Sequence, residues 1–247
     1  MDSWRYTLLG LALLSVVVTP SLGNWQQIPG LLKHVTGSVN YVWGVNSADQ
    51  IFRCTKPCTG HNWAHIGGLL KQIDAGDEEV WGVNSGNAIF KRPVDGSGSW
   101  QTIPGLLSHV SASGNGYIWG VNSHGAIFKC KKPCSGSWVT VDGLLKQIDA
   151  GYSYVYGVNR ANQIFARPVD GSGSWRQIPG RLKHITAGGE DEVFGVNNQN
   201  QIFRCKKPCI GNWERVDGVL SQCDASINEV FGVNPSDHIF KREVTIP

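Results

Sequence analysis

Residues 25–52 read WQQIPGLLKHVTGSVNYVWGVNSADQIF, and residues 175–203 read WRQIPGRLKHITAGGEDEVFGVNNQNQIF. The same pattern returns four more times, so that Trp25, Trp63, Trp100, Trp138, Trp175 and Trp213 recur every 37 or 38 residues. A Gly-Val-Asn tripeptide follows each tryptophan, beginning at Gly44, Gly82, Gly120, Gly157, Gly195 and Gly232, and an Ile-Phe pair follows each tripeptide, from Ile51 to Ile239. A period of this length marks a stacked architecture in which no single unit buries its own apolar face and each must pack on its neighbours.

Each copy holds four short runs of strand character separated by Gly, Asn, Asp, Ser and Pro clusters, and no stretch with the length and period of an amphipathic helix. In the second copy the runs are Lys71 to Ala75, Val80 to Val83, Ala88 to Lys91 and Trp100 to Ile103. Four strands per copy make a propeller blade, and six copies predict an all-β, six-bladed β-propeller. The second run, as in Val42-Trp43-Gly44-Val45, is apolar on both faces and suits a sheet held between two others. Its aromatics, Trp43, Trp81, Trp119, Tyr156, Phe194 and Phe231, are expected to face neighbouring blades, with the adjacent glycine leaving room for such a ring. The chain opens with an unpartnered outer strand, Trp25 to Ile28, and its last copy stops after Val244 where a Trp strand is due. The N-terminal strand is therefore expected to complete the last blade, which removes the exposed edges of an open array.

Residues 1–23 stand outside the repeat. Arg5, an apolar run from Leu8 to Val18, and the small residues Ser21 and Gly23 predict a signal peptide cut after Gly23. The run is shorter than the roughly 18–20 residues of a bilayer crossing, so membrane insertion is not expected. Residues 24–247 then form one secreted, extracellular domain. Cysteine usage agrees: Cys54/Cys58, Cys130/Cys134 and Cys205/Cys209 each read Cys-x-Lys-Pro-Cys, as local disulfides in an oxidising compartment do. Zinc is the competing reading, though such sites gather four ligands and these pairs sit in separate copies. Cys223 occupies a slot that is aliphatic in the other copies and reads as a buried free thiol.

Two kinds of copy alternate. Those with Cys-x-Lys-Pro-Cys alternate with those carrying Arg92-Pro93-Val94-Asp95-Gly96-Ser97 or Arg167-Pro168-Val169-Asp170-Gly171-Ser172. On the innermost strand His34, His109 and His184 alternate with Gln72, Gln147 and Gln222, and two residues on Thr36, Ser111 and Thr186 alternate with Asp74, Asp149 and Asp224. Three carboxylates near the axis form a candidate calcium site. The competing reading has each Asp accept backbone hydrogen bonds in its own turn.

Trp-x-x-Ile-Pro-Gly-x-Leu, then Gly-Val-Asn, then Ile-Phe-Lys/Arg, repeated behind a signal segment, resembles the tectonin repeats of secreted fish-egg lectins (fishelectins) and horseshoe-crab tachylectin-1. The resemblance covers residues 24–247. It implies a β-propeller that binds carbohydrate, notably N-acetylglucosamine and bacterial lipopolysaccharide, in egg or innate defence. It does not assign the ligand residues.

The six hairpins that begin at Asn46, Asn84, Asn122, Asn159, Asn197 and Asn234 emerge at one end of a propeller, and their amides suit sugar hydroxyls and an N-acetyl group. Several weak equivalent sites facing one glycan-coated surface would act by avidity. A tight hairpin demands the same residues, so a purely structural role competes. Catalysis is not expected. Asp95-Gly96-Ser97-Gly98-Ser99-Trp100 resembles the Asp-box of the six-bladed sialidases but is one residue short. No unique cluster of nucleophile, acid and positioning group interrupts the repeats. His61, His65, His124 and His238 lack metal spacing. A protein-binding platform without sugar affinity is the alternative. The net charge of +3 is spread over the copies rather than gathered in a stripe, so nucleic acid is not an expected partner.

Overall fold

The computed structural model describes residues 24–60, 62–189 and 191–244. The expected signal peptide, its cleavage point and His61 lie outside the described residues. Twenty-four strands in chain order build six antiparallel four-stranded sheets around one axis. After β1 (Gln26–Leu31), blade 1 consists of β2 (His34–Gly37), β3 (Tyr41–Val45), β4 (Gln50–Thr55) and β5 (Ala64–Leu69), from axis to rim. Blade 2 is β6 (Gln72–Ala75), β7 (Glu79–Val83), β8 (Ala88–Pro93) and β9 (Gln101–Leu106). Blade 3 is β10 (His109–Ser111), β11 (Tyr117–Val121), β12 (Ala126–Lys131) and β13 (Val139–Leu144). Blade 4 is β14 (Gln147–Ala150), β15 (Tyr154–Val158), β16 (Gln163–Pro168) and β17 (Arg176–Arg181). Blade 5 is β18 (His184–Thr186), β19 (Glu192–Val196), β20 (Gln201–Lys206) and β21 (Glu214–Val219). Blade 6 takes β22 (Gln222–Ala225), β23 (Glu229–Val233) and β24 (His238–Glu243) from the C-terminal end and β1 from the N-terminal end. Gln26 pairs with Lys241 and Ile28 with Ile239, so backbone hydrogen bonds close the ring as expected.

The core lies between blades. Six apolar clusters occupy the six junctions, and each is filled by the aromatic of one second strand. Trp43 of blade 1 packs with Ile73, Ala75 and Val80 of blade 2, and Phe231 of blade 6 packs with Val35 and Val42 of blade 1. Because each ring is buried against residues of the adjacent blade, no blade is stable alone.

An outer belt reinforces the junctions. The indole Nε1 of Trp63 donates to the Pro29 carbonyl on the outer strand of the preceding blade at 2.7 Å. Trp100, Trp138, Trp175 and Trp213 repeat the bond at 2.7–2.8 Å, and Trp25 completes the circle to Asp217. The tryptophans thus precede the outer strands and tie them together, instead of starting those strands as the sequence pattern predicts.

The loop between third and outer strands is pinned in two ways. Disulfides Cys54–Cys58, Cys130–Cys134 and Cys205–Cys209 close it in blades 1, 3 and 5. In blades 2 and 4 the loop wraps an arginine: Arg92 donates to the Gly96 and Gly98 carbonyls, and Arg167 to those of Ser172 and Gly173. Asp95 and Asp170 accept from the backbone N–H two residues on, which makes the Asp-box-like segment a turn. Cys223 is a free, buried thiol in the apolar cluster between blades 5 and 6.

One expectation is corrected. The glycine beside each second-strand aromatic does not accommodate a neighbouring ring. A Cβ on Gly44 would lie 2.4 Å from Leu32 Cδ1 and 2.7 Å from the His34 carbonyl oxygen, both from the segment leading into and along its own blade's inner strand. The backbone must be bare there for the leucine to pass beneath it. Gly44→Ala is therefore expected to cost about 1–3 kcal/mol and to lower the melting temperature by several degrees without changing far-ultraviolet circular dichroism.

Candidate functional site

The innermost strands carry a hydrogen-bonded girdle that the alternation of residue types creates. Gln72 spends its amide on the next blade's inner strand, Oε1 accepting from Val110 N at 3.0 Å and Nε2 donating to Val110 O at 2.9 Å. Gln147 does the same with Ile185, and Gln222 with Val35, so three of the six inner junctions hold a peptide-like pair. Two residues further along, Asp74 accepts from Ala112 N of blade 3 and from the Thr36 hydroxyl of blade 1. Asp149 bridges Ala187 and Ser111, and Asp224 bridges Gly37 and Thr186. The hydroxyls return the favour by accepting from Ala75, Ala150 and Ala225. The expectation that each Asp serves its own turn is thus corrected: every bond crosses to an adjacent blade.

These carboxyls face one another, with one oxygen from each lying within 4.8 Å of those of the others. Burial pushes Asp149 up to about 7, with the Asp74 charge adding to it, and hydrogen bonds offset this only in part. Burial and the two other carboxylates drive Asp224 well above the usual range, and burial raises Asp74. Calcium needs six to eight oxygen ligands. Here both oxygens of each carboxyl and every partner hydroxyl are already engaged between blades, so the residues fit an interblade latch and not a calcium cage.

About 7 Å along the axis, two strand residues away, the imidazoles of His34, His109 and His184 form a second triangle. Their ring centroids are 6.0–6.3 Å apart and the rings meet edge to face. Neither nitrogen of any of the three reaches solvent or has a hydrogen-bond partner in the protein. Burial, with Lys33 as the minor cause, lowers His34 to about 4. Burial and His34 lower His109 to about 3, and burial with both other histidines takes His184 well below its ordinary value. Each ring is therefore neutral at pH 7, with one bare lone pair. An unmade bond on a buried polar atom costs about 1–3 kcal/mol, so six such nitrogens on one axis are a feature to be explained. The sequence reading gave these histidines no role. The 75-residue spacing that singled out the aspartates applies equally to them.

The six asparagine hairpins stand at this same end, spread around the ring and not converging. Each side-chain oxygen caps its own hairpin: Asn46 accepts from Ala48 N and Gln50 N at 3.0 and 2.9 Å, and Asn84, Asn122, Asn159, Asn197 and Asn234 accept in the same way. Asn46, Asn159 and Asn197 also donate their amide N–H to Gln50, Gln163 and Gln201. The Asx-turn explains why the motif is invariant.

The opposite end of the axis opens into a cavity of about 570 Å³, formed where the six turns between first and second strands converge. Val39, Asp77, Ser113, Tyr152, Asn228 and Glu229 line it. Tyr152 is 76% exposed, the most exposed large apolar side chain in the described chain, and also borders a second cavity of about 270 Å³ with Asp77, Glu78 and Asn115. Glu229 is ion-paired to Lys56 at 2.6 Å. These turns are where the copies differ most, reading Gly-Ser-Val-Asn, Gly-Asp-Glu, Ser-Gly-Asn-Gly, Gly-Tyr-Ser and Ser-Ile-Asn in blades 1 to 4 and 6. Departure from the repeat, rather than the repeat, was the signal for this site.

A family model described as the Tectonin domain matches residues 14–94 and 69–246. Over 35 residues the chain is 60% identical to Lectin L6 of Tachypleus tridentatus, an alignment that takes in 14% of this chain and 16% of that protein. Similar solved structures include U3-55K, with a TM-score of 0.66 at 7% identity over 89% of this chain and 98% of that one. Human WBSCR16 gives 0.60 at 7% identity over 87% and 77%, and YCF48 bound to D1 peptide gives 0.57 at 15% over 90% and 97%. At such identities the likeness concerns the propeller alone. Among the described residues no helix is long and apolar enough to cross a membrane.

The carboxyl triangle has a consequence in pH. Asp149 has a folded-state value of about 7 against an unfolded 3.8, so the stability it contributes is complete below about 3.8 and lost as pH rises through about 7. The histidines act in the opposite sense, their contribution being present above 6.5 and lost as pH falls toward 4. Asp149→Asn mimics the protonated carboxyl and leaves the histidines alone. Between pH 4 and pH 8 its stability is expected to gain on the wild type by roughly 2–4 kcal/mol, read from paired denaturation curves.

Proposed function

The chain belongs to the tectonin family, and on that premise we propose that it is a secreted lectin that binds N-acetylglucosamine-type sugars, including those of bacterial lipopolysaccharide, in egg or innate defence. The observation that carries this reading is the axial cavity with Tyr152 at its rim. A pyranose ring buries its C–H face on an aromatic side chain and spends its hydroxyls on carboxylates and amides, and Tyr152 stands beside Asp77, Glu78 and Asn115. The volume of about 570 Å³ is that of a small-ligand site and holds one or two sugar units. Because the six turns differ, this end recognises one terminal glycan, whereas the six asparagine hairpins are at most auxiliary contacts that add avidity on a crowded surface. The short likeness to Lectin L6 and the three disulfides support carbohydrate binding outside the cell. Binding without catalysis is the reading throughout, because the polar residues recur in equivalent places and the axial carboxyls are consumed by the fold.

A protein platform is the second reading. Leu31, Leu69, Leu106 and Leu144 are each 59–67% exposed at the ends of the outer strands, around the rim that also carries the asparagine hairpins.

Glycan-array binding by the oxidised mature chain, with free N-acetylglucosamine as competitor, tests the proposal. The wild type is expected to bind N-acetylglucosamine-terminated glycans. Tyr152→Ala is expected to weaken that binding about tenfold through loss of the stacking surface. Asn84→Ala is expected to lower the melting temperature by loss of its hairpin cap while keeping the affinity. Folded protein that binds no glycan, but retains a partner after the partner's glycans are removed, would favour the platform.

A further inference from the structure

The histidine triangle lies at the other end of the axis from the sugar cavity and plays no part in the lectin reading. We propose that His34, His109 and His184 form a three-histidine site for one divalent transition-metal ion, of the zinc, cobalt, nickel and copper class.

Four observations carry it. The three imidazoles stand on the inner strands of alternate blades at equivalent positions, so their approximate threefold axis is the propeller axis. One ring nitrogen from each lies within 4.8 Å of those of the other two. A triangle of that side has its centre about 2.8 Å from each corner, and a zinc–nitrogen bond is about 2.0–2.1 Å, so each ring needs to move inward by well under 1 Å. All six ring nitrogens are sealed from solvent without a hydrogen-bond partner in the protein, which leaves lone pairs aimed at the axis with nothing to accept.

The chemistry of the donor set chooses the class of ion. Three neutral nitrogens and no oxygen ligand exclude magnesium and calcium and suit the imidazole-binding metals. The glutamines of the intervening blades do not compete, since their amides are paired with Val110, Ile185 and Val35. Three protein ligands leave a fourth, axial position open, as sites that bind an exchangeable ligand do. Lys33, Lys71, Lys146 and Lys183 surround this mouth, each donating to a hairpin residue: Asp49, Asn87, Asn162 and Asn200. Their charge raises the cost of a bare dication and favours an anion, hydroxide or chloride, at the open position.

Titration of the full mature chain, stripped with chelator, with cobalt(II) tests the proposal by visible absorption. The expected result is one cobalt per chain with the intense visible bands of four-coordinate cobalt, displaced by one equivalent of zinc. His109→Gln, which places in blade 3 the residue that blades 2, 4 and 6 already carry, is expected to lose affinity by roughly a hundredfold or more, since losing a ligand exceeds the loss of an outer-shell partner. His124→Gln, on the exposed hairpin of the same blade, is expected to bind as the wild type does. Folded wild type that shows only the pale spectrum of hexaaqua cobalt, or equal binding by wild type and His109→Gln, overturns the site. Should His109→Gln fail to fold, the wild-type spectrum decides: four-coordinate bands uphold the assignment and octahedral bands end it. Glycan binding is measured separately on the metal-free chain, so failure here and failure of the lectin reading are distinguishable.

Discussion

A ring of blades is only as stable as its weakest junction, and the strands nearest the axis have the least surface with which to hold one another. Each inner strand is three or four residues long. The amide of a glutamine solves the difficulty, because it carries a donor and an acceptor in the geometry of a peptide group and therefore extends one blade's hydrogen bonding into the next. Gln72, Gln147 and Gln222 do this at three junctions, and Asp74, Asp149 and Asp224 each accept a backbone N–H from the following blade and a hydroxyl from the preceding one. With the outer belt of indole bonds, every blade is gripped at both radii while the aromatic core fills the space between.

The same device dictates the chemistry of the axis. Polar residues that latch blades together at equivalent positions are necessarily repeated around the axis, so three carboxyls meet at one level and three imidazoles at another. Burial, with mutual repulsion second, then holds the carboxyls protonated to unusually high pH, and the imidazoles neutral to unusually low pH. The aspartates spend their polarity on the neighbouring blades. The histidines spend theirs on nothing in the protein, and that asymmetry separates a structural layer from a ligand site.

Repetition and divergence of the turns occupy different ends. Where the turns must close a hairpin, every copy converges on the same asparagine, because the Asx-turn leaves little choice. Where the turns hang over the axial cavity, Gly76, Gly151 and Gly188 are kept bare by the next blade's backbone, while the positions beside them diverge into Val39, Asp77, Asn115, Tyr152 and Asn228. A surface freed from the demands of folding is where recognition of a particular ligand can be built on a repetitive frame.

The 37- or 38-residue period, the four strands per copy and the displaced N-terminal strand were legible in the sequence and determined the blade number, its closure and the disulfides, since each follows from local pattern and spacing alone. The free Cys223 was legible for the same reason. What the tertiary structure decided concerns contacts between copies: that the aspartates bridge blades, that Gly44 makes way for Leu32, and that the asparagines serve their hairpins. It also decided that His34, His109 and His184, 75 residues apart in the chain, meet on one axis with their nitrogens bare, and that six unlike turns share one cavity. A repeated sequence specifies the unit and the number of units, but the distance between equivalent side chains depends on the radius at which the ring closes, and only the packed ring sets that radius.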